Sequence, residues 1–283
     1  MVLWIVAAAL MLGAAAFQRL TGPTVSVRGT FEVSGAAYRY RLPRSGWSYE
    51  DRRVTIPSPD PETHGALYYK RYRTDDSLTA VPLERDGHTL TASLPRQPAA
   101  GKLEYLVVLD GPDGPVGLPG DDATVVIRFK DDVPLVVLLP HVFFMFFMFF
   151  AVLFGLRAGL SALLQPATMP RHAWAALALM TVGGMMLGPV VQKLAFGAFW
   201  TGFPFGYDLT DNKTLLMWVV WVLACGLLLV RRVSEGQRRG AVLVATIVMT
   251  VVYLIPHSLR GSELDYRQLD RAAESAGGAS LRP

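Results

Sequence analysis

Residues 133–156 read Val-Pro-Leu-Val-Val-Leu-Leu-Pro-His-Val-Phe-Phe-Met-Phe-Phe-Met-Phe-Phe-Ala-Val-Leu-Phe-Gly-Leu, and His141 is the only ionisable side chain among them. At about 1.5 Å of rise per residue such a run is long enough to cross the ~30 Å hydrocarbon layer of a bilayer. It predicts a transmembrane helix. Further apolar runs at 173–191, 215–230 and 241–255 predict three more, giving a four-helix transmembrane bundle over 133–258. The last two are short for a span, so interfacial residues such as Trp218 and Tyr253 extend them. The N-terminal run 2–17 reads as a signal segment or an anchor; lacking a basic start, it is expected to be a retained anchor over 1–20.

The rest of the composition agrees. The chain has 283 residues, 52% hydrophobic and 18% charged, with the apolar residues gathered into runs. That excludes a simple soluble enzyme, and equally a disordered or fibrous chain, which lacks the apolar content for a core. Cys225 is the single cysteine, which excludes an internal disulfide, a Cys-rich zinc site and covalent c-type haem attachment. The sequence pI of about 9.3 is a topology signal and not a nucleic-acid signal. Residues 23–132 carry 14 Lys and Arg against 16 Asp and Glu, a net of −2. The segments 157–171 and 231–239 carry Arg157, Arg171, Arg231, Arg232, Arg238 and Arg239 against Glu235 alone, a net of +5. By the positive-inside rule these arginine-rich loops face the cytoplasm. Residues 18–132, the loop 192–213 and the tail after 256 then lie outside.

Between anchor and bundle the periodicity changes. In 25–33 Val25, Val27, Phe31 and Val33 alternate with Ser26, Arg28, Thr30 and Glu32, the period of 2 of a half-buried strand. Similar runs near 36–42, 53–56, 66–73, 78–83, 89–94, 103–109 and 123–129 are separated by turn chemistry such as Asp86-Gly87 and Asp110-Gly111-Pro112-Asp113-Gly114. This pattern resembles an immunoglobulin or fibronectin type III sandwich over 24–131 at the level of architecture. Its two histidines, His64 and His88, sit beside turn residues and read as exposed loop positions. Short linkers at both ends predict a lid on the outer face of the bundle.

Ionisable residues inside a span are functional hypotheses by default. His141 lies about 12 Å along its helix from the outer end, and His257 follows Pro256 at the outer end of the last span. His172, beside Arg171 at the opposite end, reads as an interfacial residue. Two histidines at similar depth suit axial ligation of haem b, which needs no covalent attachment. The alternative is that His141 hydrogen-bonds a backbone carbonyl of a neighbouring helix and His257 is interfacial. Met145 and Met148 read as packing, and the phenylalanines at 143, 144, 146, 147, 149 and 150 as lipid and core contacts. Gly184 and Gly188 form a Gly-x-x-x-Gly step suited to close helix approach.

The segment 195–213 sharpens this reading. It runs through Phe199, Trp200, Phe203, Phe205 and Tyr207, interleaved with Gly and Pro, to Asp208 and Asp211-Asn212-Lys213-Thr214. Asp211 or Thr210 is expected to cap the following helix, with Asp208 and Asp211 beside Lys213 holding the loop. The arrangement resembles the tryptophan-rich, or WWD, haem-handling membrane proteins of cytochrome c assembly over residues 134–260. In that family an outer aromatic loop ends in an Asp-Pro-Lys-Glu-Thr-like turn flanked by two outer histidines. Here 195–200 corresponds to the start of the motif, 211–214 to its end, and His141 and His257 to the histidines. The loop proper has a single Trp, and Thr-Gly-Phe-Pro-Phe-Gly-Tyr replaces the tryptophan core, so the resemblance implies a shared haem site more than haem delivery.

The sequence therefore predicts a bacterial-type integral membrane α + β protein of the cytoplasmic membrane. It has an N-terminal anchor, an outer immunoglobulin-like β-sandwich, a four-helix transmembrane bundle and a polar extracytoplasmic tail over 259–283. His141 and His257 are the candidate ligands of haem b, with Phe199, Trp200, Phe203, Tyr207 and Asp208 around it. The function expected is electron transfer or haem handling, with membrane lipid and an outer redox partner or other membrane-complex subunits as partners. The alternative is a non-catalytic accessory subunit whose sandwich is a partner-binding surface. A transporter is disfavoured because there is no internal repeat and little midplane polarity. No nucleophile and base pair is recognisable in the outer regions.

Overall fold

The computed structural model describes residues 1–22, 24–58, 60–121, 123–144, 150–256 and 261–279. The chain combines helices with β-sheets and divides into two compact units. One comprises Met1–Pro23 and Asp132–Ser262, the other Thr24–Asp131 and Glu263–Pro283.

The second unit is built on three sheets. Strands β1 (Val27–Val33) and β2 (Ala36–Leu42) form an antiparallel hairpin. Its two-residue turn, Ser34-Gly35, takes φ of 53° and 71°, the positive pair that matches the strands' right-handed twist. The largest sheet has the order β3 (Ser45–Trp47), β11 (Val125–Lys130), β9 (Lys102–Gly111), β5 (His64–Arg71), β6 (Thr79–Pro82), with β10 (Gly114–Leu118) also paired to β9. The third is β4 (Arg52–Pro57), β8 (Thr89–Leu94), β7 (Glu84–Asp86). Inward residues of all three, among them Phe31, Leu42, Val54, Ile56, Leu67, Leu90, Val107 and Phe129, meet in one core. The buried Tyr105 hydroxyl donates to the Pro43 carbonyl at 2.8 Å. Eight of these strands coincide with the predicted runs. The short β3, β7 and β10 are additions, too brief to show a period of their own. His64 and His88 are exposed.

The C-terminal residues, expected as a polar tail, join this unit through helix α8 (Tyr266–Ala279). The Arg71 guanidinium grips both oxygens of Asp270, at 2.7 and 2.9 Å, and both of Asp76, at 2.6 and 3.0 Å. The Tyr266 hydroxyl accepts from the Lys102 N–H at 2.9 Å. Lys102 Nζ pairs with Glu263 at 2.8 Å. Hydrogen bonding to Asp76 and Asp270 raises the Arg71 pKa, and Arg71 in turn holds the Asp76 carboxyl below its ordinary range. Burial pushes the Tyr266 hydroxyl up to about 12.

The first unit is helical: α1 (Val2–Thr21), α2 (Leu135–Val142), α3 (Phe150–Leu164), α4 (Met169–Met180), α5 (Gly188–Phe196), α6 (Leu209–Leu229) and α7 (Glu235–Leu254). A 3₁₀ turn, Pro166–Thr168, leads into α4, and a π-helical turn, Thr181–Leu187, joins α4 to α5. Among the described residues, four helices are long and apolar enough to cross a membrane: Val2–Thr21, the continuous Pro166–Phe196, Leu209–Leu229 and Glu235–Leu254. The predicted first bundle span, 133–156, corresponds to α2 and the first half of α3; Met145, Met148 and the phenylalanines at 146, 147 and 149 lie outside the described residues.

One sequence expectation changes here. Arg157, placed in a polar loop, sits inside α3 and is only 4% exposed, because the helix continues through Ser161 to Leu164. A close helix approach that the sequence reading did not name is made by Gly155 and Gly159. A Cβ on Gly155 would lie 2.4 Å from Met249 Cε, and one on Gly159 2.6 Å from Thr246 Cγ2, so α3 meets α7 only where both side chains are absent. Gly184 falls in the π turn and Gly188 just after it. There Pro189 has no N–H to donate to residue 185, and the two consecutive glycines favour an α-helix weakly.

Candidate functional site

Three features of the helical unit could carry chemistry: His141 against the π turn, the loop 197–208, and Arg157 with its neighbours. His141 is half-buried on α2, and its Nδ1 lies 2.9 Å from the Gly183 carbonyl oxygen. That oxygen also accepts the Gly188 N–H across the π turn. A carbonyl can only accept, so Nδ1 carries the proton and Nε2 is left with its lone pair. The ring lies against Gly188, where a Cβ would sit 3.8 Å from His141 Cε1, in ordinary van der Waals contact. Metal-binding histidines are commonly oriented in this way, one ring nitrogen tied to a carbonyl and the other free. The same contact is also the backbone hydrogen bond that the alternative sequence reading expects. His257 lies outside the described residues.

The loop is held from within. Gly197 ends α5 in the left-handed conformation, φ 88°, with its N–H on the Lys193 carbonyl at 2.9 Å. Asp208, not Asp211 or Thr210, is the N-cap of α6: its Oδ1 accepts from the N–H of Thr210 at 2.7 Å and of Asp211 at 3.3 Å. Asp208 wins because the cap must precede the first helical residue, and α6 starts at Leu209, earlier than the apolar run indicates. Asp211 instead reaches back across the loop, accepting from the Thr201 N–H at 2.7 Å and from Gln192 at 3.1 Å. The Thr201 and Ser262 hydroxyls donate to Asp208 Oδ2 at 3.0 and 3.1 Å. Gly202 allows the loop to close, because a Cβ there would lie 2.6 Å from that of Asp211. Lys213 is not paired with these carboxylates. It is buried and donates to the Ile255 carbonyl at 2.5 Å, capping the end of α7.

With the polar groups turned inward, the aromatic side chains point out. Phe199, Phe203, Phe205 and Tyr207 are 58%, 68%, 81% and 95% exposed. Trp200 is half-buried, its Nε1 donating to the Phe203 carbonyl at 3.0 Å. Among the described residues expected around a haem, His141 alone has a geometry suited to a ligand. Phe199, Phe203 and Tyr207 present their faces outward, and Asp208 is committed to its cap.

Arg157 was missed because its segment reads as a loop. Its guanidinium donates to Ser161 Oγ and, at 2.8 Å, to Gln165 Oε1. Ser161 Oγ lies 3.1 Å from Nδ1 of His172, which stands in the first turn of α4 as expected and is only 3% exposed. Trp4 packs edge-on against His172, ring centroids 5.3 Å apart, and lies 5.5 Å from the guanidinium carbon. The recurrence of Arg157, Ser161 and Gln165 at spacings of four was the available signal, since those positions stack on one helical face.

No family model matches the chain, and no curated protein is similar to it.

Proposed function

We propose that the chain is an integral membrane accessory subunit. A transmembrane helical bundle carries an extracytoplasmic β-sandwich, and the aromatic loop is a contact surface for another subunit of a membrane complex. The observation that carries this reading is the inversion of the loop. Its carboxylates and hydroxyls satisfy one another inside, leaving Phe203, Phe205 and Tyr207 exposed on a rigid frame. Burying each such aromatic against a partner is worth on the order of 2 kcal/mol, and contiguous exposed apolar side chains mark interaction surfaces. Orientation follows from charge. Trp4, near the start of α1, packs against His172 beside Arg171, which supports placing the N-terminus at the same end as the arginine-rich segments, in the cytoplasm.

The test is native electrophoresis of the protein solubilised from its own membranes. Wild type is expected to migrate in an assembly well above 31.0 kDa plus detergent. A Phe203→Ser/Phe205→Ser variant should migrate as the free chain with an unchanged circular dichroism spectrum. A variant that stays in the assembly, or a wild type that migrates alone, overturns the reading.

The geometry of His141 favours a second reading, haem b ligation with His257 for electron transfer or haem handling. In it the lone pair on His141 Nε2 would take the iron, and the Gly183 carbonyl would fix the ring. A Soret band in purified protein that disappears in both His141→Ala and His257→Ala would support it; colourless, folded protein would refute it.

A further inference from the structure

Residues 133–256 contain eight Lys and Arg but only Asp208, Asp211 and Glu235 as acids, so most cations there have no carboxylate to meet. Four of them go to helix C-termini, where carbonyls lack intrahelical donors and the macrodipole favours positive charge. Lys193 Nζ donates to the Gly197 carbonyl at 2.6 Å. Lys213 caps α7. Arg238 reaches the Val230 carbonyl, at the end of α6, at 2.8 Å. Arg239 reaches the carbonyls of Ala162 and Leu163, in the last turn of α3, at 2.5 and 3.2 Å.

Arg157 differs from all four. It lies two helical turns before the end of α3, is nearly fully buried, and touches no carboxylate and no helix-terminal carbonyl among the described residues. Its Nε has no hydrogen-bond partner there. A guanidinium does not lose its proton at any ordinary pH, and a buried cation without a counter-charge is costly. Its surroundings add no negative charge: one neutral hydroxyl, one amide, the Trp4 ring and the nearby Arg171. The partner on its second terminal nitrogen is Gln165, which is exposed, so a small side-chain movement uncovers that edge of the guanidinium. Thr168, whose hydroxyl donates to Ser161 Oγ at 3.2 Å, and His172 stand beside it as further polar groups.

We propose that Arg157, with Gln165, Thr168 and His172, binds a phosphate-type anion at the arginine-rich end of the helices, the phosphodiester of an acidic phospholipid or free phosphate. An anionic oxygen replacing the neutral Gln165 amide oxygen gives the guanidinium the charge-assisted, two-pronged hydrogen bonds that it lacks. The site does not depend on how the outer loop is read.

The experiment is thermal unfolding of the full chain in dodecyl maltoside micelles with three additions: phosphatidylglycerol, phosphatidylcholine, or sodium phosphate against sodium chloride at equal ionic strength. Phosphatidylglycerol is expected to raise Tm by about 5 °C over phosphatidylcholine, the scale of a ligand held well above its Kd. An equal rise with phosphate alone identifies the free anion as the ligand. Arg157→Met should abolish the rise without lowering Tm in lipid-free micelles, since no carboxylate partner is lost. Gln165→Glu, at an exposed position, places a carboxylate over the guanidinium; it should raise the lipid-free Tm and likewise abolish the rise. The proposal is overturned if neither anion stabilises wild type, or if either variant keeps the full increment.

Discussion

The two units of this protein solve the same electrostatic problem in opposite ways. Among the described residues, seven ion pairs lie in the β-rich unit, from Lys70 with Glu104 at 3.1 Å to the Arg71 fork on Asp76 and Asp270. In the helical unit four of the cations, Lys193, Lys213, Arg238 and Arg239, bind main-chain carbonyls instead. The difference follows from composition: a near-balanced sequence has carboxylates to offer, whereas the apolar spans have almost none, but each helix ends in unsatisfied carbonyls. Charge therefore builds tertiary contacts between side chains in one unit and closes helix ends in the other.

The largest test of this contrast is Lys213→Met. It removes a buried cation with no acid partner but leaves the Ile255 carbonyl at the end of α7 without its donor. A loss on the order of 2 kcal/mol is expected from the orphaned acceptor. Thermal unfolding in detergent measures it, and a variant as stable as wild type would mean that desolvation of the charge outweighs the cap. Next comes Arg71→Met, expected to cost about 1 kcal/mol, because both ends of the fork are partly open to solvent. It should free α8, detected as faster proteolysis after Arg271. The Arg71–Asp76 pair should respond to acid. Asp76 has a folded pKa below its ordinary 3.8, so its contribution is complete above about 4 and is lost as pH falls through the lowered value. A fall in Tm as pH drops through that range, smaller in Arg71→Met, would show it. The smallest effect belongs to Arg53→Ala. Its pair with Asp86 is more than 60% exposed on each side, and a change beyond about 0.5 kcal/mol would break the rule that such surface pairs contribute little.

Much of the architecture was legible because it rests on period and length. Alternation over 25–33 and 103–109 has one physical outcome, a strand with one buried face, and the turn Asp110-Gly111-Pro112-Asp113-Gly114 does join two strands. The apolar runs at 173–191, 215–230 and 241–255 fall, to within one residue at their ends, inside helices long enough to span a bilayer. The site was less legible. Asp208 and Asp211 were visible as loop-holding carboxylates, but which of them caps α6 depends on a helix start that no apolar residue marks. Lys213 looked like their partner until the end of α7 arrived beside it.

The sequence alone, then, determined the division into an apolar helical part and an alternating β part, because hydrophobic period and run length act locally. Only the tertiary structure decided where the charges went. It joined α8 to the β-rich unit through Arg71, turned the loop's aromatics outward, set His141 against the Gly183 carbonyl, and buried Arg157 without a carboxylate. Those outcomes depend on which groups distant in sequence come within about 3 Å, and the strength of a charge or hydrogen bond is set by that distance and by the water excluded around it.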